Sequence, residues 1–104
     1  MNAQFKKGVL ELIVLLSISK KDIYGYELIL DVSKIVDVKE GTIYPLLKRL
    51  TNDKYLDSYF VESSEGPIRK YYKLTILGED RLKHLLAIWN EFDTSVNNFI
   101  KESV

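Results

Sequence analysis

The sequence predicts an α+β fold that is mainly α, and three patterns carry this prediction. Apolar residues recur at helical spacing in three segments before residue 53. Two aromatic-rich runs then flank a turn-forming stretch, which is typical of a β-hairpin. A last segment shows a seven-residue apolar repeat, which is typical of a long helix. With 104 residues, 46% of them apolar, the chain has the size and composition of one globular unit with a single core.

Each of the three N-terminal helices has its own signal. Residues 5–19 are apolar on nearly every side of a helix, which indicates burial on more than one side. Asp22 can act as N-cap of a second helix. Apolar residues at helical spacing after Asp22 predict a length of about 12 residues for this helix. The third helix carries one apolar stripe, and Pro45 favours a start near Thr42 because proline is tolerated only in a first turn. The stripe consists of Ile43, Leu46, Leu47 and Leu50.

The C-terminal half predicts a hairpin and a long helix. Residues 56–62 and 69–75 read as strands joined by a turn over residues 63–67, and Thr75 is a candidate N-cap for the helix that follows. A helix over residues 78–101 would be about 36 Å long, too long for so small a domain to cover. Its heptad stripe therefore predicts a homodimer interface, because a two-fold pair is the commonest way to bury such a stripe. The stripe consists of Leu82, Leu85, Trp89, Phe92, Val96 and Phe99.

The composition excludes several classes of function. Without cysteine and with one histidine, neither a thiolate nor a multi-histidine metal centre can form, so no metal and no cofactor are expected. Strictly apolar runs, such as residues 12–16, reach only five residues, far below the roughly 18 that span a bilayer. Glu11 interrupts the apolar stretch that a signal peptide would need. We therefore expect a cytoplasmic protein without a membrane partner, and no nucleophile–base pair or phosphate loop suggests an enzyme.

Three short helices, a hairpin and a long helix follow the order of a winged helix-turn-helix domain with a C-terminal dimerisation helix. In that architecture the third helix enters the DNA major groove and the hairpin reaches the flanking backbone. Lys48 and Arg49 lie about 100° apart on the third helix, so one is expected to read bases while the other holds phosphate or packs. Strand alternation places Arg69 and Lys70 on opposite faces of the hairpin. The predicted DNA-binding residues are Thr42, Tyr44, Lys48, Arg49, Arg69 and Lys70.

Four ordered blocks between residues 5 and 78 resemble the PadR-type transcriptional regulators, and the single C-terminal helix is similar to the compact branch of that family. The blocks are KGxLEL at 7–12, YGYEL at 24–28, GTIYPLLKRL at 41–50 and GPxRKYYxLTxxG at 66–78. The resemblance implies a DNA-binding head at residues 1–76 and a dimerisation helix at 77–104. It also implies a homodimeric repressor on a pseudo-palindromic operator, released by a small molecule. Two departures are Asn52-Asp53-Lys54, where the family commonly has glycine, and Lys21-Asp22, where Gly-Pro is frequent.

Several roles stay open at this point. Trp89 either packs in the dimer core or, as in drug-sensing members of the compact branch, sandwiches a planar aromatic ligand with its symmetry mate. Asp93 could attract a cationic ligand, and Leu12 and Leu16 could line the same cleft. Glu11 could pair with Lys7, reach a helix edge or contribute to that cleft. A winged-helix adaptor that dimerises without reading DNA is the alternative function.

Overall fold

The computed structural model describes the backbone of residues 3–104 and the side chains of residues 8–104. Within these residues it shows four helices and a small antiparallel sheet, which confirms the predicted fold class. The elements in chain order are α1 (Ala3–Lys20), β1 (Ile23–Tyr24), α2 (Gly25–Ser33), α3 (Glu40–Asn52), β2 (Leu56–Ser63), β3 (Gly66–Leu74) and α4 (Ile76–Ser103).

The sheet has the order β1-β3-β2, with every neighbouring pair antiparallel. Strand β1 was not predicted, because two residues are too short to show a period. It pairs Tyr24 with Tyr71 of β3, so α2 begins only at Gly25 and has nine residues rather than about 12. Asp22 is therefore not its N-cap, and its carboxylate instead accepts a hydrogen bond of 2.6 Å from the Tyr59 hydroxyl. The turn of the hairpin is also shorter than predicted, since β2 extends to Ser63 and β3 already begins at Gly66.

One core joins the helices to the inner face of the sheet. Helix α1 contacts α2, α4 and β3, which confirms that it is buried on more than one side. Fully or almost fully buried side chains come from every layer: Val14 and Leu15 of α1, Leu28 and Val32 of α2, Ile43, Leu47 and Leu50 of α3, and Leu56 of β2. The apolar stripe predicted for α3 thus faces the core, which leaves its polar side chains outside.

Helix α3 starts earlier than predicted, and it ends in a cap that contains no glycine. It begins at Glu40, so Pro45 lies inside the helix and has no N–H for the carbonyl of Gly41. At the other end Lys54 has a φ of 70°, in the left-handed region. Its N–H donates to the Thr51 carbonyl at 3.1 Å, and the N–H of Tyr55 donates to the Leu50 carbonyl at 3.0 Å. This pair of bonds is a Schellman cap, formed here by a lysine at the position that glycine favours.

Helix α4 starts on the head and then leaves it. Thr75 caps it as predicted, accepting a hydrogen bond of 2.9 Å from the Gly78 N–H. Its 28 residues span about 42 Å. Leu82, placed by prediction at a dimer interface, is only 8% exposed and belongs to the core of its own chain, because α1 offers the nearest apolar surface. Leu85 and Trp89 pack partly against that core, whereas every side chain from residue 90 onward is exposed.

No helix among the described residues is long and apolar enough to cross a membrane.

Candidate DNA-binding surface

A groove of about 580 Å³ separates the start of α2 and the exposed side of α3 from the hairpin, whose two strands form the wing. It brings together three of the six predicted DNA-binding residues, Tyr44 from α3 with Arg69 and Lys70 from β3. Thr42 and Lys48 do not line this groove, but both are exposed on α3. No carboxylate lies within 4.0 Å of the Lys48 ammonium among the side chains the structure describes.

Tyr44 lies directly against the backbone of Gly25. A Cβ atom at Gly25 would be 2.6 Å from Cε1 and 2.7 Å from the hydroxyl oxygen of Tyr44. Such distances are shorter than any van der Waals contact, so only glycine allows the ring to occupy this place. Gly25 belongs to the YGYEL block, but the sequence alone does not show that it makes room for a residue on another helix. The ring of Tyr44 on α3 thus lies against the first residue of α2.

Arg69 is oriented by a row of aromatic rings on the outer face of the sheet. Its guanidinium carbon lies 4.5 Å from the ring centroid of Tyr24, a cation–π distance. Tyr24 in turn packs against Tyr71, with centroids 5.6 Å apart, and Tyr71 stacks on Tyr59 at 5.8 Å. The hydrogen bond that Tyr59 donates to Asp22 raises the pKa of the Tyr59 hydroxyl. Arg69 is therefore already positioned in the free protein, which lowers the entropy lost when it binds an anion.

Lys70 lies on the other face of the hairpin, as strand alternation predicts. Its ammonium is 5.7 Å from the ring centroid of Tyr72 and 5.9 Å from that of Phe60. The pKa of the Tyr72 hydroxyl is raised, mainly by burial and to a smaller extent by the nearby Tyr44 hydroxyl. Tyr72 therefore stays neutral beside the groove. Phe60 and Ile68 are largely exposed on the wing, and Ile68 lines the groove. The sequence prediction missed both residues, although large apolar side chains next to Lys70 in a polar-tipped hairpin were a visible signal.

Arg49 does not join the other predicted DNA-binding residues. Helical geometry places it on the flank of α3 opposite Tyr44, since five residues correspond to about 500°, or 140° around the axis. Its guanidinium lies 3.6 Å from the carboxylate of Asp53 and 3.8 Å from that of Glu11. The structure thus engages Arg49 in ion pairs within the chain, although its side chain is 53% exposed, whereas Lys48 is exposed and has no ion pair among the described side chains.

The residues predicted for a ligand cleft are only partly brought together. Leu12, Leu16 and Trp89 line a groove of about 560 Å³ between α1, α2 and α4. Asp93 lies outside it, because α4 leaves the head after Trp89, and it accepts a hydrogen bond of 3.3 Å from the Asn97 amide. The carboxylate at the groove belongs instead to Asp31.

Asp31 is hydrogen-bonded by one residue of α1 and by the residue that follows the end of α2. The buried Ser17 hydroxyl donates a short hydrogen bond to it, which lowers the pKa of the Asp31 carboxyl, and Lys34 donates another at 3.3 Å. The proposed partner of Glu11 in the sequence, Lys7, lies outside the described side chains. Among the described side chains, Glu11 pairs with Arg49 and Arg81.

The trihelical core, the wing and the long final helix, with cationic and hydroxyl side chains around one groove, define a DNA-binding protein of the winged helix-turn-helix class. The model of the transcriptional regulator PadR-like family matches residues 14–84. The chain therefore belongs to the PadR-like family of transcriptional regulators, whose members are regulators of transcription and not enzymes.

Individual relatives are similar over nearly the whole chain. The crystal structure of a PadR-like transcriptional regulator from Bacillus cereus is 41% identical, with a TM-score of 0.86, and the match covers 94% of this chain and 97% of that one. A Streptococcus transcriptional regulator of known structure is 36% identical, with a TM-score of 0.84 and coverage of 94% and 98%. An uncharacterized protein of Lysinibacillus sphaericus is 33% identical over 91% of each chain.

Proposed function

We propose that this DNA-binding regulator is a homodimeric cytoplasmic repressor that binds a pseudo-palindromic operator and is released by a small aromatic molecule. The observation that carries the DNA-binding part is the groove that joins Tyr44 of α3 to Arg69 and Lys70 of the wing, beside the exposed Lys48. Such a surface offers donors to phosphate and to base edges from two elements at once.

The roles of the cations follow from their positions. Lys48 projects from the side of α3 that faces away from the core, where a recognition helix meets the major groove. Thr42 lies near the start of the same helix, where hydroxyl and backbone donors suit a phosphate. Arg69 and Lys70 sit on the wing and are placed to hold the flanking backbone. Residues 77–104 contain three Lys or Arg and five Asp or Glu, so in a chain with 15 of each the head, residues 1–76, has a net charge of only +2. Affinity therefore depends on two heads binding together.

The dimer rests on the part of α4 that its own head leaves uncovered. Phe92 is 53% exposed and Phe99 is 70% exposed, and Val96 lies between them on the same stripe. Contact with the stripe of a second copy would remove these rings from water, the strongest available driving force at this surface. In this proposal residues 77–104 hold two heads formed by residues 1–76, with recognition helices about 34 Å apart along the duplex.

The effector part of the proposal rests on the 560 Å³ groove. Its walls are mostly apolar, and Trp89, the single tryptophan of the chain, closes it on the α4 side. A volume of this size and a flat indole suit a planar aromatic molecule. Because the groove is formed by α1 and α4, an occupant would separate or rotate the helices that carry the two heads.

The test uses an operator that the wild-type protein selects from a random-sequence duplex library. Lys48→Ala is expected to weaken binding at least about tenfold and to lower the slope of log affinity against log salt by about two, one contact for each protomer. Lys101→Ala is the matched control, because it removes the same charge from the far end of α4. Equal losses of operator affinity in both variants would contradict the assignment of Lys48 to the DNA-binding surface. If the wild-type protein selects no sequence from the library, the alternative function, a winged-helix adaptor that does not read DNA, is favoured.

The same binding assay tests the effector. Planar aromatic compounds that release the operator are expected to quench Trp89 fluorescence over the same concentration range. Release without quenching, or quenching without release across a broad set of compounds, would separate Trp89 from regulation.

A further inference from the structure

A carboxylate in the interior joins three helices that the proposed function assigns to different tasks. The Glu11 side chain, on α1, is only 12% exposed. Its Oε2 accepts a hydrogen bond of 3.1 Å from Nη2 of Arg81 on α4. Its Oε1 lies 3.8 Å from Nη2 of Arg49 on the recognition helix α3. One side chain thus touches both the dimerisation helix and the helix that faces DNA.

The two links differ in strength. Arg81 is two-thirds buried, it stacks 5.6 Å from the Tyr55 ring centroid, and its hydrogen bond to Glu11 raises the pKa of the guanidinium. The contact with Arg49 is an ion pair without a hydrogen bond, and Oε1 is a buried oxygen that has no hydrogen-bond partner. Glu11 is therefore fixed to α4 and only loosely joined to α3.

The loose link is the one that a small movement can change. A buried oxygen without a hydrogen bond is unfavourable, and a charge-assisted bond to arginine has a length of about 2.8 Å. Closing the gap from 3.8 Å thus requires a displacement of about 1 Å. Arg49 also pairs with Asp53, just after the end of α3, through its other terminal nitrogen, Nη1, at 3.6 Å. Arg49 thus stays paired with Asp53 whether the gap to Glu11 closes or widens.

We propose that Glu11 is a positioning residue that transmits the placement of α4 to the recognition helix through Arg49. This inference rests on the proposed function, because it gives the dimer and effector helices a direct route to the DNA-binding helix. A movement of α4 displaces Arg81 and, through their hydrogen bond, the Glu11 carboxylate. The ion pair between Glu11 and Arg49 then shortens or breaks. The next residue, Leu12, lines the groove proposed for the effector, so an occupant there acts on the same turn of α1.

The experiment is a double-mutant cycle on operator affinity, measured by fluorescence anisotropy with a labelled duplex that the wild-type protein has selected. Glu11→Gln keeps the size of the side chain and removes its charge, and it is expected to weaken operator binding about fivefold or more, the lower end of typical coupling between sites. In an Arg49→Gln background the same change is expected to alter affinity less than about twofold, because the route is already broken. Asp53→Asn is the matched control, since it removes the other carboxylate beside Arg49 without touching α1, and its expected effect is below about twofold.

A merely structural role for Glu11 predicts a different pattern. The loss of affinity would then be the same factor in both backgrounds and would follow the loss of stability, measured separately by urea unfolding. That additive result, or an unchanged affinity in Glu11→Gln, would overturn the inference. If Glu11→Gln does not fold, the cycle is repeated with Arg81→Lys, which keeps the charge but not the guanidinium fork, and additivity there overturns it equally. Failure of the wild-type protein to select any duplex would instead overturn the proposed function itself.

Discussion

The head and the outer half of α4 are built from similar apolar patterns but meet opposite surroundings. In the head Leu15, Leu47 and Leu56 are fully or almost fully buried. Beyond residue 89, Phe92 and Phe99 repeat every seven residues, yet all side chains there are exposed. An apolar stripe therefore indicates that a helix face is covered by another surface, and only the fold shows whether that surface belongs to the same chain.

The start of α4 joins the head at the end of α3. The Thr75 hydroxyl donates to the Lys54 carbonyl at 2.7 Å, and the Thr75 N–H donates to the Tyr55 carbonyl at 3.1 Å. Gly78, in the first turn of α4, then passes close to that same Tyr55 carbonyl. The start of α4 is thus attached to the turn that closes α3.

The largest expected effect breaks this junction. A Cβ atom at Gly78 would lie 2.1 Å from the Tyr55 carbonyl oxygen, which neither backbone can avoid without moving. Gly78→Ala is expected to lower the free energy of unfolding by about 3 kcal/mol or more, measured by urea denaturation. Gly41→Ala is the control, because a Cβ there meets nothing within 4 Å and should cause no loss. Equal stability of the two variants would show that the contact at Gly78 is unimportant.

A second change tests the outer half of α4 alone. The double variant Phe92→Ser/Phe99→Ser is expected to raise the dimer dissociation constant at least about 100-fold, because interface aromatic residues contribute most of the binding energy. Sedimentation equilibrium measures this constant. Lys83→Ser/Asn90→Ser is the matched control: each residue lies nine positions earlier, about 180° around the helix, and is exposed. Dissociation of both double variants to the same extent would contradict the assignment of the stripe.

The smallest expected effect is a gain of stability within the head. Lys54 holds a φ of 70° at the cap of α3, where a side chain is strained and glycine is not. Lys54→Gly is expected to raise the free energy of unfolding by about 0.5–1 kcal/mol in urea denaturation. Asp53→Gly, at a φ of −79°, should lower it instead. A loss of stability in Lys54→Gly would mean that the lysine side chain contributes more than its backbone strain costs.

Features that depend on neighbouring residues were predictable from the sequence. The Thr75 cap, the hairpin strands and the inward stripe of α3 each follow from residues within a few positions of one another. The two-residue strand β1 was not predictable, because its only support is Tyr71 and Tyr72 on a distant strand. The sequence could have predicted that Arg49 lies away from Tyr44, because helical geometry separates the two residues by about 140°. It could not predict the ion pair of Arg49 with Glu11 on α1.

The order of elements, the polar face of α3 and the heptad stripe of α4 follow from the sequence without the structure, because helix and strand periods are local properties of the chain. Which surface each stripe covers, why Asp31 rather than Asp93 lies at the groove, and how Glu11 meets Arg81 follow only from the tertiary structure. Glu11 and Arg81 are separated by 70 residues. No local sequence pattern relates residues so far apart, and only the packing of α1 against α4 brings the two charges together.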